Sequence, residues 1–535
     1  MKIVTSKQMS TLEQSSSELG ISTLDLMQNA AHSVATLIKQ DISPSISEKI
    51  TVLVGPGNNG SDGLLIAGLL HKWGASVTVY ITRGRPDNDL LLKKISDEHI
   101  KCVFGPNDPD YANLRNLVTE SGLLVDCILG ANQNYRPLDE NISSICTIIN
   151  ERSNSPSYTK CLSVDIPTGI YPDTGEVDPA TIRADITTAL GFPKLGLFTF
   201  PGNEYIGELH TLDIGLPNNL SLASDINVEL LTSEYISTLL PKRSRNSHKG
   251  TYGHTLLVGG SQSYIGAPSL SGLAAMRAGS GLITIATPQS IYPIVANNVI
   301  EAIHLPLPEE ECGNISAQSV PHIINNIDKY DVLAIGPGLN QSPNTHEFLF
   351  SLLESLIDID TPLIIDADGL NNLSLIPEWW TLLTSPTILT PHPGELSTLT
   401  GKSVPNIQNN RLELSQEYSQ KWGVTLVLKG ALTVTSTATG NSYISPFTNS
   451  SLATAGTGDV LTGIIAGLMA QGIESYQAAL CGVYTHGYAG ELGSKYFGTS
   501  GMIASDLITY IPDAMRHIRL DIRDEADSGT LYDLQ

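Results

Sequence analysis

Residues 453–464 read "ATAGTGDVLTGI", two glycines, two threonines and one aspartate set against the start of an apolar helical run. A glycine-rich turn that opens a helix aims several backbone N–H groups at one point, where the helix dipole is also positive. Such a point holds an anion, most often phosphate. Asp459 beside it would be repelled by that anion unless its carboxylate had separate work. A proton transfer on a substrate next to the bound phosphate is the simplest such work. A glycine-rich turn that opens a helix is at home in an α/β fold with a parallel sheet, so the rest of the chain should show β-branched runs alternating with helical segments.

It does so in two blocks. In the first, "KITVLVG" (49–55), "SVTVYI" (76–81), "GLLVDCILG" (122–130) and "CLSVDIP" (161–167) read as buried strands, and "LDLMQNAAHSVATLIKQ" (24–40) as an amphipathic helix. In the second, "HTLLVGG" (254–260), "GLITIAT" (281–287), "DVLAIGPG" (331–338), "TPLIIDADG" (361–369), "PTILTPHPGE" (386–395) and "VTLVLKG" (424–430) repeat the grammar. A polar stretch with a small basic cluster separates them. The expected organisation is an N-terminal parallel-sheet domain over 1–220, a connector at 221–244, a second α/β domain over 245–512 and a polar tail at 513–535.

The chain has 535 residues, too many for one hydrophobic core. Hydrophobic residues make up 41% and charged residues 16%, which is the composition of a folded protein. A formal net charge of −24 disfavours a general role on nucleic acid or a membrane surface, since both would be repelled. Six cysteines (102, 127, 146, 161, 312 and 481) show no metal-type spacing and several lie in apolar runs, which points to a reducing cytoplasm. The N-terminus lacks the apolar core of a signal peptide, and no apolar run reaches the roughly 20 residues of a membrane span. The expected partners are therefore small molecules, with a homo-oligomer left open.

Ligands of open parallel sheets sit at the carboxyl ends of the strands. In the first block "VLVGPGNNGSDGLLIA" (52–67) runs strand, glycine loop, helix, and Asn58, Asn59 and Asp62 add polar groups to what would otherwise be a tight turn. Asp126 and Asp165 each close a buried strand, a costly place for an unpartnered charge. A cation held by Asp126, the Asn59 amide oxygen and the Thr168 hydroxyl would satisfy them; helix or turn capping by Asp165 or Thr168 is the alternative.

The runs "GPGNNGSDG", "VDCILG", "RPL" (136–138) and "SVDIPTG" resemble the successive motifs of the NAD(P)H-hydrate epimerase domain. That resemblance implies a Rossmann-like fold, interconversion of the R and S hydrates of NADH and NADPH, and a bound K⁺. It implies that Asn58, Asn59, Gly60, Ser61 and Asp62 line the substrate site together with Gly130, Ala131, Asn132, Gln133, Asn134, Tyr135 and Arg136. Asp165 would contact substrate as the acid/base, and Asn59, Asp126 and Thr168 would hold K⁺. The chain departs from the family in three places: Ser61 for a glycine, Thr168 for a serine, and "GANQNYRP" (130–137) for a more glycine-rich loop.

In the second block the small residues Ala267 and Pro268 start a helix, His392 is held between two prolines, and Lys429 ends a strand before a glycine, where an ammonium can meet phosphate. The runs "SHKGTYG", "GGSQSYIGAP", "GPGL", "DADGLN", "PHPGE", "LKGALTV" and "AGTGDVLTG" resemble the ADP-dependent NAD(P)H-hydrate dehydratase, a member of the ribokinase-like superfamily. The resemblance implies that Ala267, Gly338, His392 and Asp459 contact the hydrate. Lys429, Gly430, Ala431, Leu432, Thr433 and Gly458 would hold the nucleotide, ADP, with Mg²⁺. Asp459 would be the catalytic base. The rival is a small-molecule kinase of the same superfamily carrying a non-catalytic N-terminal binding module, which the "GTGD" turn alone does not separate from the first reading.

Overall fold

The computed structural model describes residues 1–42, 49–86, 88–131, 137–154, 158–217 and 226–520. The chain divides into two compact units between Ile226 and Asn227.

The first unit is built on seven strands: β1 (Lys49–Val54), β2 (Ser76–Ile81), β3 (Lys101–Phe104), β4 (Leu123–Cys127), β5 (Lys160–Val164), β6 (Ile186–Leu190) and β7 (Glu208–Leu212). They lie in the order β3-β2-β1-β4-β5-β6-β7, and every pairing is parallel. Central strands are buried on both faces, which is why "ITVLV" and "LLVDC" read as continuous apolar runs. One face packs under the helices Thr23–Leu37 and Asn58–Lys72, where Ala30, Ala31, Val34 and Ala67 keep the helices close; Ile145, Ile149 and Leu114 cover the other. The Thr23 helix starts in a capping box between Ser22 and Asp25.

The second unit holds ten strands: β8 (Val228–Leu230), β9 (His254–Val258), β10 (Leu282–Pro288), β11 (Ile303–Leu307), β12 (Val332–Ile335), β13 (Leu363–Ile365), β14 (Thr387–Leu389), β15 (Thr425–Leu428), β16 (Val434–Ser436) and β17 (Ser442–Ile444). Their order is β11-β10-β9-β12-β13-β14-β15-β16-β17-β8; β16 alone runs against its neighbours. Two ends of the expected division differ. Val228–Leu230 joins the sheet edge and the helix Ser233–Leu239 buries Ile236, within the stretch expected to be a connector. The last described helix, Ala504–Leu520, runs through Pro512 and buries Met515 and Ile518, where a polar tail was expected from 513. A three-residue strand carries no readable alternation, and Pro512 reads as a helix stop although it stands inside one.

The strand-end turns of this unit are served from one side by two crossing helices, Gly266–Ala278 and Thr457–Ala470. Their approach depends on absent side chains: a Cβ at Gly463 would lie 2.2 Å from the Ser271 carbonyl, and one at Gly467 2.4 Å from that of Ala275. This contact fixes the Thr457 helix, and with it Asp459, over the sheet. No helix among the described residues is long and apolar enough to cross a membrane.

Gly463→Leu is accordingly expected to destabilise the second unit by about 1–3 kcal/mol, the cost of forcing extra volume into a packed interface. Urea unfolding followed by tryptophan fluorescence measures it, since three of the four tryptophans, 379, 380 and 422, lie in that unit.

Candidate functional sites

In the first unit a cleft of about 230 Å³ opens at the carboxyl ends of β1, β4, β5 and β6. Gly57, Asn58, Asn59 and Asp62 reach it from the start of the Asn58 helix, Gly130 and Ala131 from the turn after β4, and Asp165 from the turn after β5. The glycine loop is tight because Gly55 packs on backbone: a Cβ there would meet the Ile128 carbonyl at 1.8 Å. Gly57 caps the helix with no side-chain bond, leaving its first N–H groups open. Both ends of the Asn59 amide and Asp62 Oδ1 are buried without a hydrogen-bond partner among the described residues, the mark of a site built to receive something polar.

Gly60 and Ser61 do not line the cleft. Gly60 fits against Gly55, and the Ser61 hydroxyl accepts a hydrogen bond from Arg85 Nη2 at 2.8 Å. Arg85 also donates to the Gly55 carbonyl and pairs with Asp89, so it braces the loop from behind. The extra side chain of Ser61 is thus spent on that brace. Asn132, Gln133, Asn134, Tyr135 and Arg136 lie outside the described residues.

Asp126 is fully buried. Its Oδ1 accepts from Ile128 N (3.1 Å) and Thr168 Oγ1 (2.8 Å), and its Oδ2 from Ser163 Oγ (2.9 Å) and Thr168 N (2.9 Å). Four donors use the capacity of a carboxylate, yet burial still pushes its pKa up. Asp126 and Thr168 are therefore brought together, knotting β4 to the turn after β5, and Asn59 Oδ1 is the oxygen of the expected cation trio left without a partner. Among the described residues no group of three or more His, Cys, Asp or Glu is arranged to hold a metal ion.

Asp165 sits at φ +71°, a left-handed backbone uncommon for a residue with a side chain. Its Oδ2 accepts from Ala131 N at 2.9 Å and its Oδ1 is ion-paired with Lys194. Lys194, only 1% exposed, was not singled out in the sequence, nor was Glu13, which reaches the same cleft from the helix Ser6–Glu18. Burial, then the neighbouring Asp165 and Glu13, holds Asp62 well above the ordinary aspartate range; burial also raises Glu13.

In the second unit the strand-end motifs converge. Gly338 and Ala267 adjoin: a Cβ at Gly338 would lie 3.0 Å from that of Ala267. Gly456, at φ +89°, starts the Thr457 helix without a side-chain cap, and the Thr457 hydroxyl is turned away onto the Leu452 carbonyl. His486 donates to the Thr457 carbonyl at 2.9 Å; burial lowers its pKa to about 4, so the ring that holds the helix start is neutral. In the sequence it was only a lone histidine in an apolar helix.

Lys429 stands over this helix start, with Nζ 3.5 Å from where a Gly458 Cβ would be. It donates to Asp366 Oδ1 at 2.7 Å, and Thr462 Oγ1 donates to Asp366 Oδ2 at 2.6 Å. Burial opposes both charges, but the pairing wins: the Asp366 carboxyl is lowered and the Lys429 ammonium raised. Glu395 Oε2 lies 3.5 Å from Lys429 Nζ. Burial, with Asp366 as a like charge, pushes Asp459 up to about 7, and burial pushes Glu395 up to about 7.

His392 caps the helix Pro393–Thr400. Its Nδ1 accepts from the N–H groups of Gly394 and Glu395, and its own N–H donates to Glu395 Oε2 at 2.7 Å. Burial and Lys429 lower its pKa, so the neutral ring carries its hydrogen on Nε2, on a side chain still 56% exposed. In the loop after β15 the Thr433 hydroxyl donates to the Gly430 carbonyl, while Leu432, at φ +53°, buries its side chain and donates its N–H to the Phe447 carbonyl. Arg411 holds that loop from below through the carbonyls of Leu428 (3.0 Å) and Lys429 (3.3 Å).

Two family models match this chain: the NAD(P)H-hydrate dehydratase over residues 255–513 and the YjeF-related protein N-terminus over residues 23–196. The bifunctional NAD(P)H-hydrate repair enzymes of Moorella thermoacetica and Thermofilum pendens are each 35% identical to it, over 99% of both chains. The ADP/ATP-dependent NAD(P)H-hydrate dehydratase of Bacillus subtilis, crystallised with ATP and Mg²⁺, is 32% identical. It covers 55% of this chain and 99% of its own, with a TM-score of 0.48.

Lys429→Met is expected to destabilise the second unit by about 3–5 kcal/mol, because it strands Asp366 as a buried unpaired charge. Adding Asp366→Asn should recover part of that loss. Urea midpoints of the single and double variants test it.

Proposed function

The chain belongs to the bifunctional NAD(P)H-hydrate repair enzymes, and on that premise we propose that its first unit epimerises hydrated NADH and NADPH and its second dehydrates the S hydrate at the expense of ADP. The dehydratase reading is carried by one arrangement, the ion-paired Lys429 standing over the uncapped helix start beside Asp459. Membership of a two-activity family favours it over a kinase with a non-catalytic first module.

Hydrated NAD(P)H carries a hydroxyl where the reduced ring had a double bond, and hydroxide is a poor leaving group. Asp459, partly protonated near neutral pH until it ionises, takes the hydroxyl proton. The freed oxygen receives the terminal phosphoryl group of ADP, releasing AMP. Lys429 and the open N–H groups around Gly458 neutralise the charge that develops. Phosphate then departs with the ring oxygen, the neighbouring carbon loses a proton, and the double bond returns. Ala267, Gly338 and His392 are proposed to hold the hydrate, with Gly338 and Ala267 forming one small-residue wall and His392 offering Nε2–H. Lys429 to Thr433, with Gly458, are proposed to hold the nucleotide, Leu432 only through its backbone since its side chain is buried.

Mg²⁺ belongs to this reading and would supply charge neutralisation at the phosphates. Such an ion needs only one or two protein carboxylates, and Glu395 fits, because the oxygens of Asp366 are taken by Lys429 and Thr462. In the first unit Asn59, Asp126 and Thr168 are proposed to hold K⁺, for which the Thr168 hydroxyl would give up its bond to Asp126 Oδ1 and turn its oxygen to the ion. The unpaired Asn59 oxygen supports this, and the ion would help orient the substrate's polar groups. Asn58, Gly130 and Ala131 would line the bound hydrate, and Asp165 would touch it as acid/base. A cytoplasmic location is part of the proposal, on the cysteine pattern of the sequence.

The test is a mixture of R and S NADPH hydrates with the protein, ADP, Mg²⁺ and K⁺, following the reduced nicotinamide by absorbance and the epimers by chromatography. Complete recovery of NADPH from both epimers, faster than spontaneous epimerisation, is the expected result; recovery that stops with the S form removes the epimerase, and none removes both. Asp459→Asn should lower dehydration by about 10²–10⁴-fold and leave epimerisation intact.

The pH dependence follows from the same residue. A base acts only when ionised, so kcat/KM for dehydration should rise with pH through an apparent pKa near about 7. Glu395 titrates in the same range, and the limb belongs to the pair. Glu395→Gln should keep the limb if Asp459 is the base, and loss of the limb in Glu395→Gln would take that role from Asp459.

A further inference from the structure

The cleft of the first unit holds more acid–base chemistry than one aspartate explains. Among the described residues three carboxyls, Glu13, Asp62 and Asp165, share it with a single ammonium, Lys194. These four groups come from three directions: Glu13 from the N-terminal helix, Asp62 from the Asn58 helix, and Asp165 with Lys194 from turns after β5 and β6. Three anions around one cation in a buried cleft cannot all be charged at little cost.

The reaction needs two such groups, and this inference rests on the epimerase reading. Hydration of an enamine places the hydroxyl on a carbon bonded to the ring nitrogen. Inversion there proceeds when the hydroxyl takes a proton and leaves as water, while the nitrogen lone pair forms an iminium. Water then adds to the other face and gives up a proton. Atoms and electrons balance without any oxidant, but one group must deliver a proton and another must remove one.

Asp165 and Asp62 are held differently. Lys194 Nζ is fixed between Asp165 Oδ1 and the Leu190 carbonyl (3.2 Å), and Ala131 N holds Asp165 Oδ2, so both oxygens of that carboxylate are oriented. Asp62 makes no ion pair among the described residues, and its Oδ1 is buried with no hydrogen-bond partner. We propose that Lys194 divides the labour between the two aspartates: Asp165, paired to it, removes the proton from the attacking water, and Asp62, with no cation of its own, delivers one to the departing hydroxyl. Lys194 is then a positioning residue, and Asp62 and Asp165 the catalytic ones. The burial that holds Asp62 well above the ordinary aspartate range suits a donor.

The test uses the full chain, with epimer interconversion followed by chromatography without ADP, so that dehydration is silent. Dehydration of the S hydrate with ADP, in the same preparation, normalises for the amount of protein, and far-UV circular dichroism with urea unfolding reports that the first unit of each variant, which is separate from the dehydrating one, is folded. Lys194→Met and Asp62→Asn are expected to lower kcat for epimerisation by about 10²-fold or more with little change in KM or in the K⁺ requirement; Lys194→Arg should restore part of the loss. The wild-type rate should fall at high pH as Asp62 gives up its proton, and Asp62→Asn should lack that fall. A Lys194→Met protein that epimerises at the wild-type rate, or that changes KM alone, overturns the role of Lys194. An Asp62→Asn protein with full rate and an unchanged alkaline limb overturns the donor, and decides the matter should Lys194→Met fail to fold. A wild type that epimerises nothing overturns the epimerase reading itself and this assignment with it.

Discussion

The second unit's chemistry hangs on a buried ion pair. Asp366, 1% exposed, is the residue after β13; Lys429 is the residue after β15; Thr462 belongs to the helix that Asp459 opens. One carboxylate therefore ties two strand ends to a helix, and the helix brings Asp459. Each partner alone would be an uncompensated charge in a dry interior. Together they form a neutral ion pair whose ammonium lies 3.5 Å from where a Gly458 Cβ would be. Glu395, at 3.5 Å, adds a second acid whose proton depends on that same ammonium.

The first unit reaches a similar solution with different elements. Asp165 also follows a buried parallel strand, and its partner Lys194 is also buried on the far side of a glycine loop. In both, a left-handed residue marks the turn, Asp165 itself in one case and Ala367, at φ +51°, beside Asp366 in the other. A backbone forced out of the comfortable regions persists only where its surroundings over-determine it. Parallel sheets expose their strand ends to ligands, so charges placed there are open to a ligand while the lysines paired with them keep them tolerable to the fold.

This arrangement explains what the sequence could and could not say. Strands with runs of Val, Ile and Leu were legible, because burial on both faces leaves a continuous apolar signature. β3, "KCVF", β6, "ITTAL", and the three-residue strands β8, β16 and β17 were not, being short, edge-placed or rich in threonines whose hydroxyls are satisfied by backbone, as Thr187 is by the Ile206 carbonyl. Asp459, Lys429 and His392 were legible because glycine or proline stands beside each, and Asp165 because it closes a buried strand.

Lys194 and Glu13 were not legible, for a different reason. "TLEQS" carries no local mark, and Pro193 beside Lys194 follows no run that reads as a strand; the need for a cation at Lys194 is set by Asp165, 29 positions away. Glu395 shows the intermediate case: the motif "PHPGE" draws the eye to its histidine, yet the histidine is half spent on capping the helix, and the acid beside it is the group that reaches Lys429. A motif names the turn; which of its side chains does chemistry is settled by what each must also do to keep the turn. His392 gives Nδ1 to the backbone and keeps only Nε2 for a ligand, whereas Glu395 Oε2 both accepts the His392 backbone N–H and lies 3.5 Å from the ammonium.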